Sequence, residues 1–469
     1  MTAINGHGPL SGTVNVLVPT GSLGAGVRES EVAHGIAQGA HVIATDAGST
    51  DSGAAYLALG QSKNNRAAVK RDLTILMRAA GAARIPLVVG TSGQAGGDLN
   101  VDWTRDIAVE VAGELGIRPK IALLYSELSK ATVKAKNANG RIRALAPAGP
   151  LDDATIDACD HIVAVLGIEP YIAVLEKGAD IVLGGRSTDT AVLACFPIMK
   201  GAALGASWHA GKTAECGAQC TEKPMAGSGV LLRIDREGFT VEPLGPDNIC
   251  TPHSVSAHML YENSDPFRLI EPGGVLDVTA ANYAQFDPRS VHVTGSTWEP
   301  KPYTLKLEGA SSGAFQTIML VGIQDPIVLR NLNDFHDRML TKLNERVRAT
   351  IGEAAGDFSI SLRLYGWNAV SGELLPNDTP PPREVGVLFV ATASTQAMAT
   401  QIAKACNPYF FHMPMPGHTE MPSYGFAFTP ADIERGPVYE FRLNHVVECD
   451  DPLELVRTEW LDLSLRAAA

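Results

Sequence analysis

The sequence predicts an α/β protein with three regions. Residues 10–200 are expected to form a doubly wound, mainly parallel sheet, because short apolar runs alternate there with segments of helical periodicity. Residues 201–350 show short β-like runs among Gly and Pro turns, which indicates an α+β region of the same main unit, 1–350. After a linker, residues 358–469 follow a β-β-α-β order, which predicts a small ferredoxin-like two-layer domain.

Five apolar runs in the first 190 residues predict the strands of the parallel sheet. Each run leads directly into a loop that is rich in glycine or polar side chains. The runs are VNVLVPT (14–20), HVIAT (41–45), IPLVVG (85–90), IALLY (121–125) and DIVLGG (180–185). Ligands of open parallel sheets bind at the carboxyl ends of the strands. The repeated polar loops therefore predict a small-molecule site at that edge.

Helices are predicted between these strands. Apolar side chains recur at helical spacing in two of the intervening segments, namely Val69, Leu73, Leu76 and Met77 in the first and Trp103, Ile107 and Val111 in the second. Such βαβ crossovers are right-handed and cover both faces of a sheet. Further along the chain, helices are expected over 255–262 and 328–349, and 351–357 is the expected linker.

Composition excludes some function classes. The chain has 469 residues, of which 45% are hydrophobic, and a net charge of −13 without a dense basic run, so nucleic acid is not an expected partner. No apolar run approaches the roughly 18 residues of a membrane span, and the first residues do not resemble a signal peptide. Seven cysteines, an odd number spread through the chain, indicate reduced thiols and a cytoplasmic location.

The first loop, GSLGAG (21–26), is rich in glycine and precedes a predicted helix over 28–39. Glycine lets backbone N–H groups approach a ligand closely, and a helix N-terminus favours an anion. A carboxylate or phosphate of the substrate is therefore expected to bind at Gly21, Ser22, Gly24 and Gly26. Packing alone is the alternative. The spacing matches neither a dinucleotide fingerprint nor a P-loop, so NAD is not expected.

The second loop, DAGSTDSG (46–53), carries two carboxylates and three hydroxyls. Paired carboxylates suit general acid/base catalysis or a hard cation such as Mg²⁺. We expect Asp46 and Asp51 to be catalytic and Ser49 and Thr50 to bind substrate. Capping of the following turn is the alternative for one of the two aspartates.

Asp102 and Arg186 follow the third and fifth predicted strands. Asp102 is expected to cap the next helix, and its place at the sheet edge also makes it a secondary catalytic candidate. Arg186 is expected to bind a substrate carboxylate in bidentate fashion, together with Asp189. An internal salt bridge between Arg186 and Asp189 is the alternative.

The densest group of reactive side chains comprises Glu215, Cys216, Cys220, Cys250, His253, His258 and Glu262. His258 and Glu262 would share one face of a helix at i, i+4. The preferred interpretation makes His253 or His258 a proton-transfer group, because imidazole titrates near neutral pH. A nucleophilic Cys216 or Cys250 is one alternative. A divalent metal held by His253, His258, Glu262 and Cys216 is another, although the cysteine spacing matches no regular zinc framework.

The loop 407–430 is long, stiffened by proline and rich in Met and aromatic residues. Loops of this kind form lids or subunit contacts. The sequence therefore predicts a homo-oligomer, most simply a two-fold dimer, in which the C-terminal domain docks across a subunit boundary or over the pocket of the main unit.

Several longer motifs resemble one known family. They include DAGSTDSG (46–53), VKRDL (69–73), Asp-Trp-Thr at 102–104, ECGA (215–218), TPHSVSAHMLYE (251–262), YTLKLEGA (303–310), LRLYG (362–366) and PVYEFRLNHVVECDDPLEL (437–455). The chain resembles the acyclic terpene utilisation protein A family, in its broad bacterial branch, over nearly its whole length. The resemblance implies catabolism of organic acids or CoA esters, and it carries over no catalytic residues.

Taken together, these patterns predict an enzyme that acts on a small carboxylic acid or acyl-CoA ester by acid/base chemistry, of the lyase, hydratase or isomerase type. Such a reaction needs a base, an acid and an anion clamp. Two alternatives are a Cys-dependent hydrolase or acyl-transfer enzyme, and a non-catalytic accessory subunit of an acyl-CoA pathway. These patterns are compatible either with an enzyme that has no cofactor or with one that uses a divalent metal.

Overall fold

The computed structural model describes residues 12–48, 52–373, 375–376 and 378–464. The chain divides into two compact units, Met1–Ser311 with Phe441–Ala469 and, between them in sequence, Ser312–Glu440. No helix among the described residues has the length and hydropathy needed to cross a membrane.

The described residues form twenty strands. In chain order they are β1 (Val14–Val18), β2 (Val42–Gly48), β3 (Leu87–Gln94), β4 (Lys120–Tyr125), β5 (Ile142–Ala144), β6 (His161–Val165), β7 (Ile181–Gly184), β8 (Val230–Ile234), β9 (Gly238–Pro243), β10 (Arg268–Glu271), β11 (Gly274–Asp277), β12 (Asn282–Gln285), β13 (Val291–Thr294), β14 (Thr297–Pro300), β15 (Thr304–Ile323), β16 (Phe358–Tyr365), β17 (Val385–Ala393), β18 (Gly425–Phe426), β19 (Ile433–Glu448) and β20 (Arg457–Asp462).

The same residues form fourteen α-helices. They are α1 (Glu29–Ala37), α2 (Ala55–Leu59), α3 (Arg66–Ala83), α4 (Asp98–Leu115), α5 (Lys130–Ala138), α6 (Asp153–Ala158), α7 (Glu169–Glu176), α8 (Asp189–Met199), α9 (Leu204–Ala214), α10 (Pro252–Ala257), α11 (Pro326–Leu329), α12 (Leu332–Thr350), α13 (Gln396–Cys406) and α14 (Tyr409–His412).

A ten-stranded sheet forms the centre of the first unit, in the order β12-β13-β9-β8-β1-β2-β3-β7-β4-β20. Its middle strands β1, β2, β3, β7 and β4 are parallel, and they correspond to the five apolar runs of the sequence. The remaining strands join in antiparallel fashion. The predicted mixed α/β class is thus confirmed, while the doubly wound and ferredoxin-like descriptions stay predictions.

Both faces of the parallel strands are buried, which explains why their sequences are continuous apolar runs. Val16 and Val18 belong to one core cluster, which also contains side chains of α7, α8 and α9. Leu17, between them, belongs to a second cluster with side chains of α1, α3 and α4. Alternate residues of a strand point to opposite faces, so a single strand anchors both layers of helices.

A smaller antiparallel layer in the first unit brings a distant segment to the sheet edge. The strand β6 pairs with the first part of β15, with Val163 opposite Glu308. The backbone of β6 continues through Leu166, which forms a bridge to Ser187 at the end of β7. Residues of the YTLKLEGA motif are therefore close to the loop that follows β7.

The second unit is a sheet with helices packed on it. Residues Phe315–Ile323 of β15 pair with β17, which also pairs with β16. The helix α12 packs on this sheet through Phe335, Met339 and Leu343. The unit therefore begins at Ser312, earlier than the boundary near 351–357 that the sequence suggested, because α12 belongs to its core.

The loop 407–430 contributes to the core of the second unit. Phe410, Met413, Met415 and Tyr424 are buried in the same apolar cluster as the sheet. Much of the Met and aromatic content that suggested a docking loop is thus buried within its own unit.

Candidate functional site

A cavity of about 1090 Å³ lies at the carboxyl edge of the parallel strands in the first unit. Loops that follow β1, β2, β3 and β7 contribute to its wall, as the sequence predicted for the place of a ligand site. The described residues that line it include Thr20, Gly21, Ser22, Asp46, Lys63, Gln94, Arg186, Asp189, Glu215, Cys216, Tyr261, Glu262 and Lys306.

A second cavity, of about 1180 Å³, lies at the opposite edge, beside Thr13, Pro86, Pro119 and Asp180. The ionisable side chains that line it, such as Asp180, are exposed to solvent. The cavity at the carboxyl edge is instead lined by several ionisable groups that are almost completely buried. Because buried ionisable groups cluster at functional sites, we assign the site to the carboxyl edge.

The glycine-rich loop binds an anion that belongs to the protein itself. The backbone N–H groups of Gly24, Gly26 and Val27 donate to the buried carboxylate of Asp72, with N···O distances of 2.9, 3.0 and 2.9 Å. Gly24 and Gly26 are therefore engaged by α3, whereas Gly21 and Ser22 line the cavity.

Gly21 fixes the approach of this loop to the segment that contains Cys216. A Cβ atom at position 21 would lie 2.4 Å from the backbone carbonyl carbon of Cys216, which no side chain could tolerate. Glycine is required here by close backbone contact. This contact places Cys216 at the wall of the cavity.

Asp46, at the end of β2, is the buried carboxyl that the sequence suggested for catalysis. It is 2% exposed, and its Oδ2 accepts from the N–H of Gly48 at 3.0 Å. Its Oδ1 has no hydrogen-bond partner among the described residues. Burial, and then the charge of Asp189, raise the pKa of Asp46 well above its ordinary value. Ser49, Thr50 and Asp51 lie outside the described residues.

Arg186 pairs with two carboxylates. Its Nε lies 2.9 Å from an oxygen of Glu308, and one terminal nitrogen lies 3.5 Å from Asp189. The internal salt bridge with Asp189, one of the two sequence alternatives, is thus present. Burial acts to raise the pKa of Glu308, but Arg186 and Lys306 together outweigh it and lower this pKa to about 2. Glu308 belongs to the YTLKLEGA motif, but no local pattern could have indicated its pairing with Arg186, which is 122 residues away in sequence.

Gln94 lies at the end of β3 and is a cavity residue that the sequence reasoning missed. Its Nε2 donates to Ser22 at 3.2 Å, while its Oε1 lacks a partner within the described part of the chain. Gln94 and Thr91 have φ values of 78° and 47°, which side chains other than glycine adopt at a cost. Strain of this kind is concentrated at functional sites. The glycine cluster at 93–97 was the available signal.

A second buried group comprises Lys212 on α9, Glu215 directly after that helix and Glu271 on β10, and the sequence indicated only Glu215. Lys212 forms an ion pair with Glu215 in which both side chains are 4% exposed. Burial raises the pKa of Glu215 to about 8 and that of Glu271 to about 7. Lys212 and Glu215 are neighbours at i, i+3, whereas Glu271 is on a distant strand, so only the fold could bring Glu271 to this pair.

His258 and Glu262 do not share the face of an α-helix as predicted. The helix α10 ends at Ala257, a short 3₁₀ turn follows over His258–Leu260, and Glu262 has a φ of +56°. His258 is buried, which lowers its pKa to about 4, whereas His253 is exposed and does not line the cavity. Of the two imidazoles, His258 is thus the one beside the cavity wall.

The two candidate nucleophiles differ in position. Cys250 is buried in the apolar core of the first unit. Cys216 lines the cavity, but burial, and then the charge of Glu215, raise the pKa of its thiol. Since the thiolate is the nucleophilic form, this environment does not activate Cys216 in the described structure.

Asp102 is not the N-cap of its helix. The helix α4 begins at Asp98 after Gly97, so Asp102 lies in its second turn, and the prediction that Asp102 opens the helix is wrong. Its carboxylate accepts from Tyr125 at 2.7 Å and pairs with Arg105. Asp102 is absent from the described lining of the cavity.

Fold and site define a mixed α/β protein with a ligand-sized cavity at the carboxyl edge of its parallel strands. The model of one family matches residues 62–435, and its description is "Acyclic terpene utilisation family protein AtuA". The chain belongs to this family, as its motifs suggested, and membership suggests a role in the utilisation of acyclic terpenes. Neither a curated protein nor a solved structure matches the chain.

The first prediction concerns Asp72. Asp72→Ala should lower the free energy of unfolding by about 3 kcal/mol or more, because each hydrogen bond to a charged group contributes about 1.5–3 kcal/mol. Urea denaturation measures the loss. The control is Arg71→Gln, which removes only the half-exposed partner of Asp72 and should cost less than about 1 kcal/mol. Equal losses in the two variants would contradict the anchoring role of Asp72.

The second prediction concerns the pH dependence of stability at Asp46. A carboxyl whose pKa is raised on folding makes the folded state less stable as pH rises above the unfolded pKa of about 3.9. Asp46→Asn should therefore raise Tm at pH 7.5, by roughly 2–4 °C for each kcal/mol relieved, and should have no such effect at pH 3.5. Differential scanning calorimetry at both pH values measures this. A lower Tm at pH 7.5 would show that the carboxylate stabilises the fold.

Proposed function

We propose that the protein is a catabolic enzyme that transfers a proton at the carbon next to the carbonyl group of a small carboxylic acid or its CoA ester. The reaction class is that of a lyase, hydratase or isomerase. The observation that carries this proposal is Asp46, a buried carboxyl in the cavity wall with one oxygen unpartnered in the described structure and a raised pKa.

These properties suit a general base for a weakly acidic carbon. A catalytic base is most effective when its pKa approaches the working pH, and burial is the usual means of raising a carboxyl pKa. The unpartnered Oδ1 of Asp46 supplies a lone pair for the proton. Asp189, in the same wall and also raised in pKa by burial, is the proposed second carboxyl, which returns a proton elsewhere on the substrate.

The cavity also carries positive charge for an anionic substrate. Lys63 and Lys306 line it, and both side chains reach solvent. Arg186, the clamp expected from the sequence, lines the wall as well, but its Nε is bonded to Glu308. We propose that the lysines bind the carboxylate or the phosphates of a CoA ester, and that Arg186 stabilises charge that develops on the carbonyl oxygen.

The volume of the cavity supports an acyl substrate. Ligand pockets usually measure about 300–1000 Å³, so a cavity of about 1090 Å³ accommodates a carboxylic acid with a hydrocarbon chain. A non-catalytic accessory subunit would be expected to place its polar loops in a protein interface. Their position around a ligand-sized cavity instead supports catalysis.

The experiment is deuterium exchange. In D₂O, the enzyme is incubated with a panel of short and branched acyl-CoA esters and the corresponding free acids, and mass spectrometry follows deuterium uptake at C2. Exchange is expected for at least one substrate, and Asp46→Asn should slow it by about 10²–10⁴-fold, the contribution of a general base. Asp106→Asn, an exposed aspartate on α4, is the matched control and should retain full exchange.

A substrate that binds in a thermal-shift assay but shows no exchange in the unmodified enzyme would contradict the proposed chemistry. Undiminished exchange in Asp46→Asn would contradict the assignment of Asp46 as the base while leaving the reaction class intact.

We also propose a cytoplasmic homo-oligomer. All seven cysteines are free thiols, in line with a reducing compartment. In the second unit, Phe411, Met421 and Phe428 remain exposed although neighbouring residues of the same loop are buried. Exposed apolar side chains of this size favour a subunit contact. Sedimentation velocity should show a dimer or larger species at micromolar concentration, and a monomer throughout that range would contradict the proposal.

A further inference from the structure

The strongest unassigned cluster in the first unit consists of Glu215, Cys216 and His258. One carboxylate oxygen, the thiol sulfur and one imidazole nitrogen all lie within 4.8 Å of one another. Glu215 and Cys216 follow the end of α9, and His258 begins the turn after α10, so two separate elements contribute to the cluster. Within the described residues, this is the group whose ligand atoms come close enough to hold a metal ion.

The imidazole of His258 is an independent sign of a ligand. It is 6% exposed, and its Nε2 finds no hydrogen-bond partner in the described part of the protein. A buried polar atom without a hydrogen-bond partner destabilises the folded state, so such atoms usually have an occupant. A neutral imidazole nitrogen is the commonest protein ligand for transition metals.

The charge around the cluster favours a cation. The carboxyls of Asp189, Glu262 and Glu271 act electrostatically on Glu215 or Cys216. Against them, Lys212 is the cation paired directly with Glu215. A divalent ion bound to Glu215 would therefore supply positive charge where carboxyls are in excess. Without such an ion, Lys212 balances the charge of Glu215.

We propose that Glu215, Cys216 and His258 bind a divalent transition metal, with Zn²⁺ as the best fit. Sulfur, nitrogen and oxygen ligands together suit Zn²⁺, and catalytic zinc sites combine three protein ligands with one open position. Tetrahedral zinc holds its ligand atoms about 3.3–3.8 Å apart, so small side-chain rotations bring the three atoms into range. Glu215 and Cys216 line the cavity, so the open position faces the substrate space.

This set differs from the candidates that the sequence suggested. His253 is exposed, and it is replaced by Glu215, which no spacing rule connects with His258. Glu262 lines the same cavity and lies outside the three-atom cluster. The proposal goes beyond the proton-transfer function, because the metal site contains neither Asp46 nor Asp189.

The test measures metal binding directly. The full-length protein is dialysed against chelator, titrated with Zn²⁺ and Co²⁺, and analysed by mass spectrometry for metal content and by absorption for a cobalt–thiolate charge-transfer band. About one equivalent per chain and the charge-transfer band are expected. Cys216→Ser should lose the band, and both Cys216→Ser and His258→Gln should bind Zn²⁺ more than about 100-fold more weakly, since loss of even an outer partner costs about 10–100-fold.

Two matched controls define the site. His253→Gln changes an exposed imidazole five residues earlier, and Cys406→Ala removes a buried thiol of the second unit; both should bind metal like the unmodified protein. A cobalt titration without the charge-transfer band, or a Zn²⁺ affinity of Cys216→Ser and His258→Gln equal to that of the unmodified protein, would overturn the proposal.

A second measurement needs no variant and covers the case in which a substitution at buried His258 prevents folding. Bound Zn²⁺ should slow alkylation of Cys216 by iodoacetamide at least about tenfold, as followed by peptide mass spectrometry, because a metal-bound thiolate is unavailable to the reagent. An unchanged alkylation rate at saturating Zn²⁺ would overturn the proposal. Asp46→Asn should bind metal with the affinity of the unmodified protein. The metal-binding and deuterium-exchange experiments therefore test the two proposals independently.

Discussion

The buried ion pair between Arg186 and Glu308 is the interaction on which the candidate site depends. It joins the end of a central parallel strand to a strand 122 residues later in the chain. Both side chains are nearly inaccessible, so removal of either partner would leave the other charge buried with less compensation. The same guanidinium faces Asp189, whose charge raises the pKa of Asp46 in addition to the larger effect of burial. The long-range pairing with Glu308 thus holds in place the cation that faces the buried carboxyls of the wall.

The site contains features that a purely stabilising core would avoid. Oxygens of Asp46 and Gln94 lack partners among the described residues, and Thr91 and Gln94 have strained backbone conformations. Each such feature costs free energy of folding, typically about 1–3 kcal/mol. The surrounding parallel strands, which are buried on both faces, supply the stability that offsets these costs. Natural proteins retain such destabilising features where their function requires them.

The two proposals concern one cavity, because Glu215 and Cys216 line it together with Asp46 and Asp189. The first proposal assigns proton transfer to the two aspartates, and the second assigns a transition metal to Glu215, Cys216 and His258. Abstraction of a proton next to a carbonyl group is easier when the carbonyl oxygen is polarised. The two proposals are therefore chemically compatible, although each depends on different residues and different observations.

The sequence by itself determined the elements whose signals are local. Continuous apolar runs identified the parallel strands, because strands buried on both faces need no polar positions. Their polar loops identified the edge that holds the cavity and, within it, Asp46 and Arg186. Tertiary structure decided what depends on distant partners. Asp72 reaches the glycine loop from α3, Glu308 reaches Arg186 from β15, and Glu271 on β10 acts on Glu215. Pairing across such sequence separations leaves no pattern in the spacing of residues, so only the folded chain shows it.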